Sequence, residues 1–478
     1  IKLPTLNSAI ILAVSLAATF YTHIPTFLIA GSLSALVLSA NLISHKKIVK
    51  RPILWGGVTL LIFIGLTSIT LAPQLEWLPH TTRQILFEKP EVYPQWNSVA
   101  EFLRSVFFPW TNLYDPDSEK WIPLGIISSL LAVYGFLNLS KRLKILTSVT
   151  IIVVLFLVLN NLSPFYSILL EQKWFILLRV TTRAWFIVGI ATILLASFGL
   201  ELLAKRYGKN LAALLAAICI IEFLYLSYGR LSKPIEINTK FATKEVYDHL
   251  KSDNDRFRVY CTNRCLSQKE SAFYGLELID GYNTIQQKNY YKQAWQLTGT
   301  YWNYYTLSIP PIGAYTFDKP QPDAKALGEF NTKYVISPYE LTDKNFSLKN
   351  KFSEYYVYQN EVYLPRAYFQ DDNQRPGSEA KILSYKPNEI SIDTSDHKSS
   401  SLILSEVWSP GWKAYLDGNQ LVKVQETPNV LRLVDIRPDT KFVVFKYDPE
   451  IFKRGRLITV ATLLFLFLYG VRKLNFFS

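Results

Sequence analysis

Eight apolar runs, all without charge except for Glu201 and Glu222, occupy most of the first half of the chain and return at its end, at residues 6–21, 26–43, 53–72, 123–139, 145–159, 184–203, 211–228 and 457–470. Such runs read as membrane-crossing helices. The connections between them alternate in character. Every second one is short and basic: Lys46 to Arg51, Lys141 to Lys144, Lys205 to Lys209, and the terminal Arg472 and Lys473. The other connections, 22–25, 73–120, 162–183 and the long stretch 229–456, lack that basic signature. Basic connections favour the cytoplasmic side. The pattern predicts eight spans with both ends inside and the large C-terminal region outside.

Beyond residue 229 the periodicity changes. Residues 230–345 mix two patterns: 243–251 and 282–306 read as helical, 257–261 and 334–337 as strands. From 346 to 455 the pattern is β, with short strands at 355–358, 361–363, 382–383, 389–392, 402–404, 412–416, 420–424, 432–436 and 442–447. Asp417-Gly418 supplies the left-handed turn of a tight hairpin. Arg437-Pro438-Asp439-Thr440 reads as a second turn, pairing 432–436 with 442–447. Many short strands with regular turns point to a sandwich. The expected fold class is a polytopic α-helical membrane protein of about eight spans, with a large extracytoplasmic α/β region (230–345), a β-sandwich (346–455) and a final span and tail (456–478).

Composition sharpens this picture. The 478-residue chain is 49% hydrophobic and carries a net charge of +13. That charge suggests nucleic acid, but Lys2 and twelve other basic residues in the connections just described account for the whole excess. They are topology signals, and no nucleic-acid partner is expected. Cys219 lies in an apolar run and reads as a small core residue. Cys261 and Cys265 fall in the outer region, where either a short disulfide or two free thiols fits.

Several segments resemble one family. SPGWKAYLDGNQLVKV and then FKYDPEIFKRGRLIT, just ahead of the last span, are similar to the C-terminus of the YfhO-like bacterial membrane proteins. LELIDGYNTIQQKNYYKQA, NTKYVIS, TLAPQLEWLPHTTRQ and LLRVTTRAWFIVGIATILLASFGLELL resemble further segments of that family, in the same order. The family in turn resembles the C-type glycosyltransferases, which take a sugar from a polyprenyl-phosphate carrier at the outer membrane face. The resemblance implies three partners: membrane lipid, a polyprenyl-phosphate-linked sugar, and an envelope glycan acceptor. In such enzymes an acid in the first long outer loop serves as base or metal partner. Here the first outer connection is only Thr22-His23-Ile24-Pro25, and the chain does not start on methionine. The expectation is that spans carrying that acid lie upstream.

A lipid-phosphate donor needs cationic groups at the outer interface and a carboxylate for the acceptor proton. Arg179 and Arg183 stand i,i+4 ahead of the sixth run, and guanidinium suits phosphate; two snorkelling anchors would look the same. Arg83 is a further phosphate candidate. For the base the long outer loop offers Asp115 and Asp117, an Asp-x-Asp pair that could also hold a divalent metal ion, and Glu76 at a membrane boundary. The plainer reading of each, as a solvated turn or a boundary residue, is the commoner one. Glu222, inside the seventh run, is a functional candidate or an arginine partner. Tyr290, Trp295 and Trp302 belong to an aromatic cluster able to stack on sugar rings, or simply to pack a core. The rival to a glycosyltransferase is a non-enzymatic scaffold, or a protein that binds glycan or lipid carrier without turning it over.

Overall fold

The computed structural model describes residues 5–44, 50–88, 95–108, 118–164, 166–172, 180–231, 242–281, 285–299, 319–371, 373, 375–395 and 400–474. The chain divides into two compact units. One comprises Ile1–Leu71, Leu86–Glu236 and Gly455–Ser478; the other comprises Ala72–Ile85 and Ile237–Arg454.

All eight apolar runs are helical: Leu6–Thr22, Ile24–Ser44, Lys50–Trp77, Ile126–Leu137, Lys141–Leu159, Trp185–Tyr207, Lys209–Leu231 and Glu450–Leu474. Among the described residues, four segments are long and apolar enough to cross a membrane: Pro52–His80, Lys141–Leu162, Thr181–Tyr207 and Lys209–Ser227. Leu6–Thr22 and Ile126–Leu137 are apolar but shorter. The outward faces stay apolar, with Leu61 71% and Ile152 64% exposed. Uncovered apolar area on this scale calls for a lipid solvent. The third run overruns its expected end at residue 72. Its helix continues through Pro73 to Trp77; the missing N–H and the ring strain the turn but do not stop it.

Small residues set the helix packing. A Cβ on Gly135 would stand 2.1 Å from the Leu195 carbonyl oxygen, and one on Gly199 would stand 2.4 Å from that of Leu131. Ile126–Leu137 and Trp185–Tyr207 therefore meet backbone to backbone. Helix Lys50–Trp77 meets the last helix in a similar way. The Thr459 hydroxyl accepts from the Ile69 N–H at 3.1 Å and donates to the Gly65 carbonyl at 3.0 Å. It bridges the two groups of one turn of that ladder.

The second unit begins with a mixed sheet. Its strands are β1 (Arg258–Cys261), β2 (Glu277–Leu278), β3 (Thr332–Ser337), β4 (Phe346–Phe352) and β5 (Tyr355–Asn360), in the order β2-β1-β3-β5-β4. β1 runs parallel to β2 and β3, and β5 runs antiparallel to β3 and β4. β3 is buried along its whole length, as a central parallel strand should be. The helices Lys244–Lys251, Gln268–Tyr274, Lys288–Thr298 and Ala324–Glu329 supply the connections. One core joins Val246, Leu250, Val259, Ile336 and Val357.

The sandwich follows, from β6 (Ala367–Gln370), β7 (Pro376–Glu379), β8 (Ile382–Lys386), β9 (Glu389–Asp393), β10 (Ser401–Val407), β11 (Trp412–Leu416), β12 (Gln420–Val422), β13 (Gln425–Glu426), β14 (Leu431–Asp435) and β15 (Phe442–Tyr447). Its sheets are β13-β14-β10-β6-β7 and β12-β11-β15-β9-β8. Leu402, Leu404, Ile392 and Phe445 pack between them. Ile403 instead joins Tyr260, Leu327 and Val335 of the mixed-sheet core. The first sandwich sheet is therefore covered on both faces, which is why residues 402–404 are apolar without alternation.

Two expectations need correction. The hairpin of β4 and β5 belongs to the mixed sheet, so the sandwich starts at Ala367 and not at residue 346. The alternation of β5 suits either sheet; only its pairing with β3 decides. Residues 432–436 and 442–447 do not pair. β14 lies beside β10, and β15 lies between β11 and β9. The turn at Arg437 to Thr440 does form, with the Thr440 N–H donating to the Arg437 carbonyl at 3.0 Å. It carries the chain from one sheet to the other. The Asp417-Gly418 hairpin forms as expected, with φ of +50° and +77°.

A buried ionic cluster fastens the mixed sheet to the sandwich. Glu406 accepts from Arg258 at 2.9 Å, from Arg366 at 2.7 Å, and from the Tyr385 hydroxyl. Arg366 also reaches Glu277 at 2.8 Å and Asn331 at 2.9 Å. Burial alone would raise the Glu406 carboxyl, but Arg258 and Arg366 outweigh it and hold it at about 2. Arg432 stacks 3.8 Å from the centre of the Trp412 ring.

Candidate functional site

Three connections of the helical unit that lack the basic signature meet at Arg183. The one-turn helix Thr181–Ala184 leads into Trp185–Tyr207. Thr181, Thr182, Ala184 and Trp185 are buried, which leaves Arg183 directed outward and 38% exposed. Its Nη2 lies 2.5 Å from Glu119 Oε1 and its Nε donates to Glu119 Oε2 at 3.2 Å. This is a two-pronged guanidinium–carboxylate contact. Nη1 lies 3.3 Å from His23 Nε2, and His23 Nδ1 lies 2.8 Å from the Thr26 hydroxyl. Because an arginine can only donate, the imidazole accepts at Nε2 and carries its proton on Nδ1.

The surroundings hold this cluster in place. Lys120, next to Glu119, pairs with Glu101 at 2.7 Å and lies 5.4 Å from the centre of the Trp96 ring. The Trp96 indole donates to the Val158 carbonyl at 2.7 Å, and Asn161 exchanges two 2.8 Å hydrogen bonds with the Trp96 backbone. The Tyr166 hydroxyl donates to Thr181 at 3.3 Å. Glu119 and His23 orient the Arg183 fork, whose side chain stays 38% exposed.

Of the other residues singled out in the sequence, Arg179, Asp115, Asp117 and Trp302 lie outside the described residues. Glu76 and Arg83 fall in Ala72–Ile85, part of the other compact unit. Glu76 is exposed near the end of its helix. Tyr290 packs its ring on Phe330 at 5.6 Å and donates to the Ile279 carbonyl. That is a core position rather than a sugar platform. Trp295 is 69% exposed on helix Lys288–Thr298 and is free to stack.

Glu222 has a structural task. Its carboxylate caps the helix Ile126–Leu137, accepting from the Ile126 N–H at 2.5 Å and the Ile127 N–H at 3.2 Å. Gly125 precedes that helix at φ +78°, and a Cβ there would stand 2.5 Å from Glu222 Oε2. Cys261 and Cys265 form a disulfide. Among the described residues, no three His, Cys, Asp or Glu side chains stand together as a metal site.

Arg183 stands out in the sequence, but nothing there marks Glu119 or His23 as its partners. Two residues of a short connection and a distant loop carry no shared spacing, so only the fold joins them. No family model, curated protein or solved structure matches the chain.

Proposed function

We propose that this chain is an eight-span membrane protein with both ends cytoplasmic and its β-rich unit outside. It transfers a sugar from a polyprenyl-phosphate carrier to an envelope polymer or glycolipid. The reading rests on the segments that resemble the YfhO-like family, and on one observation above all. Arg183 is an oriented, reachable guanidinium, held by a carboxylate, where connections without the basic signature converge.

The chemistry follows from that pairing. The carrier phosphate displaces Glu119 from Arg183 and takes its two-pronged contact. The released Glu119 carboxylate stands beside the phosphate, positioned to take the proton of the acceptor hydroxyl. The bond from the sugar carbon to the phosphate oxygen breaks, a new bond to the acceptor oxygen forms, and polyprenyl phosphate leaves. Asp115 and Asp117, two to four residues upstream of Glu119 in sequence, are the acids that would steady a divalent metal in this scheme.

The test uses the full chain in detergent with a panel of polyprenyl-phosphate sugars. Arg183→Gln should weaken binding of a polyprenyl phosphate tenfold or more. Glu119→Gln should keep or tighten that binding and lose transfer. Unchanged binding in Arg183→Gln returns this arginine to a structural ion pair. Carrier binding without transfer by the wild type leaves the non-enzymatic carrier-binding reading, which the ready-made Glu119 contact also suits.

A further inference from the structure

The β-rich unit contains a second polar cluster that the transfer scheme does not use. It lies at the carboxyl ends of the parallel strands. β1 leads to β2 on one flank, and the chain then crosses to β3 on the opposite flank of β1. The strand ends at which connections leave in opposite directions are where open α/β sheets bind their ligands.

The residues at that edge have chemistry to offer. Asp280 follows β2 by two residues and is half-buried. Apart from its own backbone N–H, no hydrogen bond or ion pair engages its carboxylate among the described residues. Arg264, half-buried in the loop after β1, is close enough to act on its charge but forms no ion pair with it. The Arg264 backbone is left-handed at φ +63° and is tied by the Cys261–Cys265 disulfide. Gln268 opens the following helix. A Cβ on Gly281 would stand 2.5 Å from Gln268 Nε2, so that carboxamide lies over the backbone next to Asp280. At the same strand ends, the buried hydroxyls of Thr262 and Ser337 are 3.2 Å apart. Desolvation pushes the Asp280 carboxyl up to about 7. A structural aspartate would be met by a donor from another residue; among the described residues this one has only its own backbone N–H.

We propose that Asp280, Arg264 and Gln268 form a binding site for the hydroxyls of a sugar ring. A carboxylate accepts from adjacent hydroxyls, while guanidinium and carboxamide donate to their oxygens. Balanced charge suits a neutral polyol better than a phosphate, which Asp280 repels, or an amine, which Arg264 repels. The site deepens the transfer reading by giving the acceptor glycan a seat on the β-rich unit, and it rests on that reading only for the identity of the glycan.

The experiment is titration of the full chain in detergent with methyl glycosides of glucose, galactose and N-acetylglucosamine, with inorganic phosphate and ethanolamine as comparison probes. At least one glycoside should bind saturably, and Asp280→Asn and Arg264→Gln should each weaken it tenfold or more with the melting transition retained. Gln268→Ala, at an exposed position, should weaken it severalfold. The proposal is overturned if no glycoside saturates, if only phosphate or ethanolamine binds, or if the variants bind like the wild type. Arg183→Gln should leave glycoside binding unchanged. A failure of sugar transfer with glycoside binding intact would thus count against the transfer reading alone.

Discussion

Glu406→Gln tests whether the ionic cluster holds the mixed sheet and sandwich together. The substitution keeps the side-chain shape and removes the charge shared by Arg258 and Arg366. Arg366 is only 2% exposed, so water cannot replace the lost partner. Breaking one member of a buried ion cluster costs roughly 3–5 kcal/mol. The carboxyl itself gives a second figure. Its displacement from 4.5 to about 2 corresponds to about 3 kcal/mol. A depressed carboxyl contributes stability that is complete above its unfolded value and is lost as pH falls through its folded one. The wild type should therefore lose this contribution between about pH 4.5 and 2, while Glu406→Gln lacks it throughout. The assay is chemical unfolding of the full chain in detergent, followed by the β signal at pH 7 and pH 3. Glu389→Gln, which removes an exposed pair to Lys446 at 3.3 Å, is the control and should cost under about 1 kcal/mol. A loss below about 1 kcal/mol for Glu406→Gln, with no change in the pH profile, would refute the argument.

Gly199→Val should separate the helices Ile126–Leu137 and Trp185–Tyr207, because its Cβ has only 2.4 Å to the Leu131 carbonyl oxygen. Thermal unfolding in detergent should fall by several degrees, whereas Gly189→Ala, with open space around it, should leave it unchanged. Asp280→Asn should stabilise the protein at pH 8 and change little at pH 4. The sign follows from a raised carboxyl: the native state keeps a proton that the unfolded chain has released, so wild-type stability falls as pH rises from 3.8 to about 7. Arg264 is the charged neighbour acting on that carboxyl, which in turn acts on the phenol of Tyr290. The expected gain is on the order of 2–4 kcal/mol, read from melting at the two pH values; a loss at pH 8 would mark Asp280 as a structural group. The same variant should lose glycoside binding, the trade expected of a residue kept for a ligand.

Some of this architecture could be read from residue order alone. The eight apolar runs all became helices, and Asp417-Gly418 became a hairpin. In each case the cause lies within a few neighbouring residues: a stretch almost without charge, or a pair that tolerates positive φ. The strand at 334–337 was also visible, as a short apolar run. The misassigned features were pairings. Residues 432–436 and 442–447 look like two arms of one hairpin, since a turn joins them, yet they belong to different sheets. Likewise β5 carries an alternation that fits either neighbour.

The candidate sites divide along the same line. Arg183 stands out in the sequence because a cation before an apolar run is costly and conspicuous. Its partnership with Glu119 and His23 spans 64 and 160 positions. Asp280 looks like an ordinary turn acid until β2, β1 and β3 are seen to be parallel, with the strand order reversing across β1. Sequence thus determined which segments are helices, which are short strands, and where the basic connections lie, because those depend on local period and charge. Tertiary structure alone decided which strands share a sheet, which arginines share a carboxylate, and which aspartate stands at the ends of the parallel strands. Those depend on contacts between residues far apart in the chain, and no local pattern encodes them.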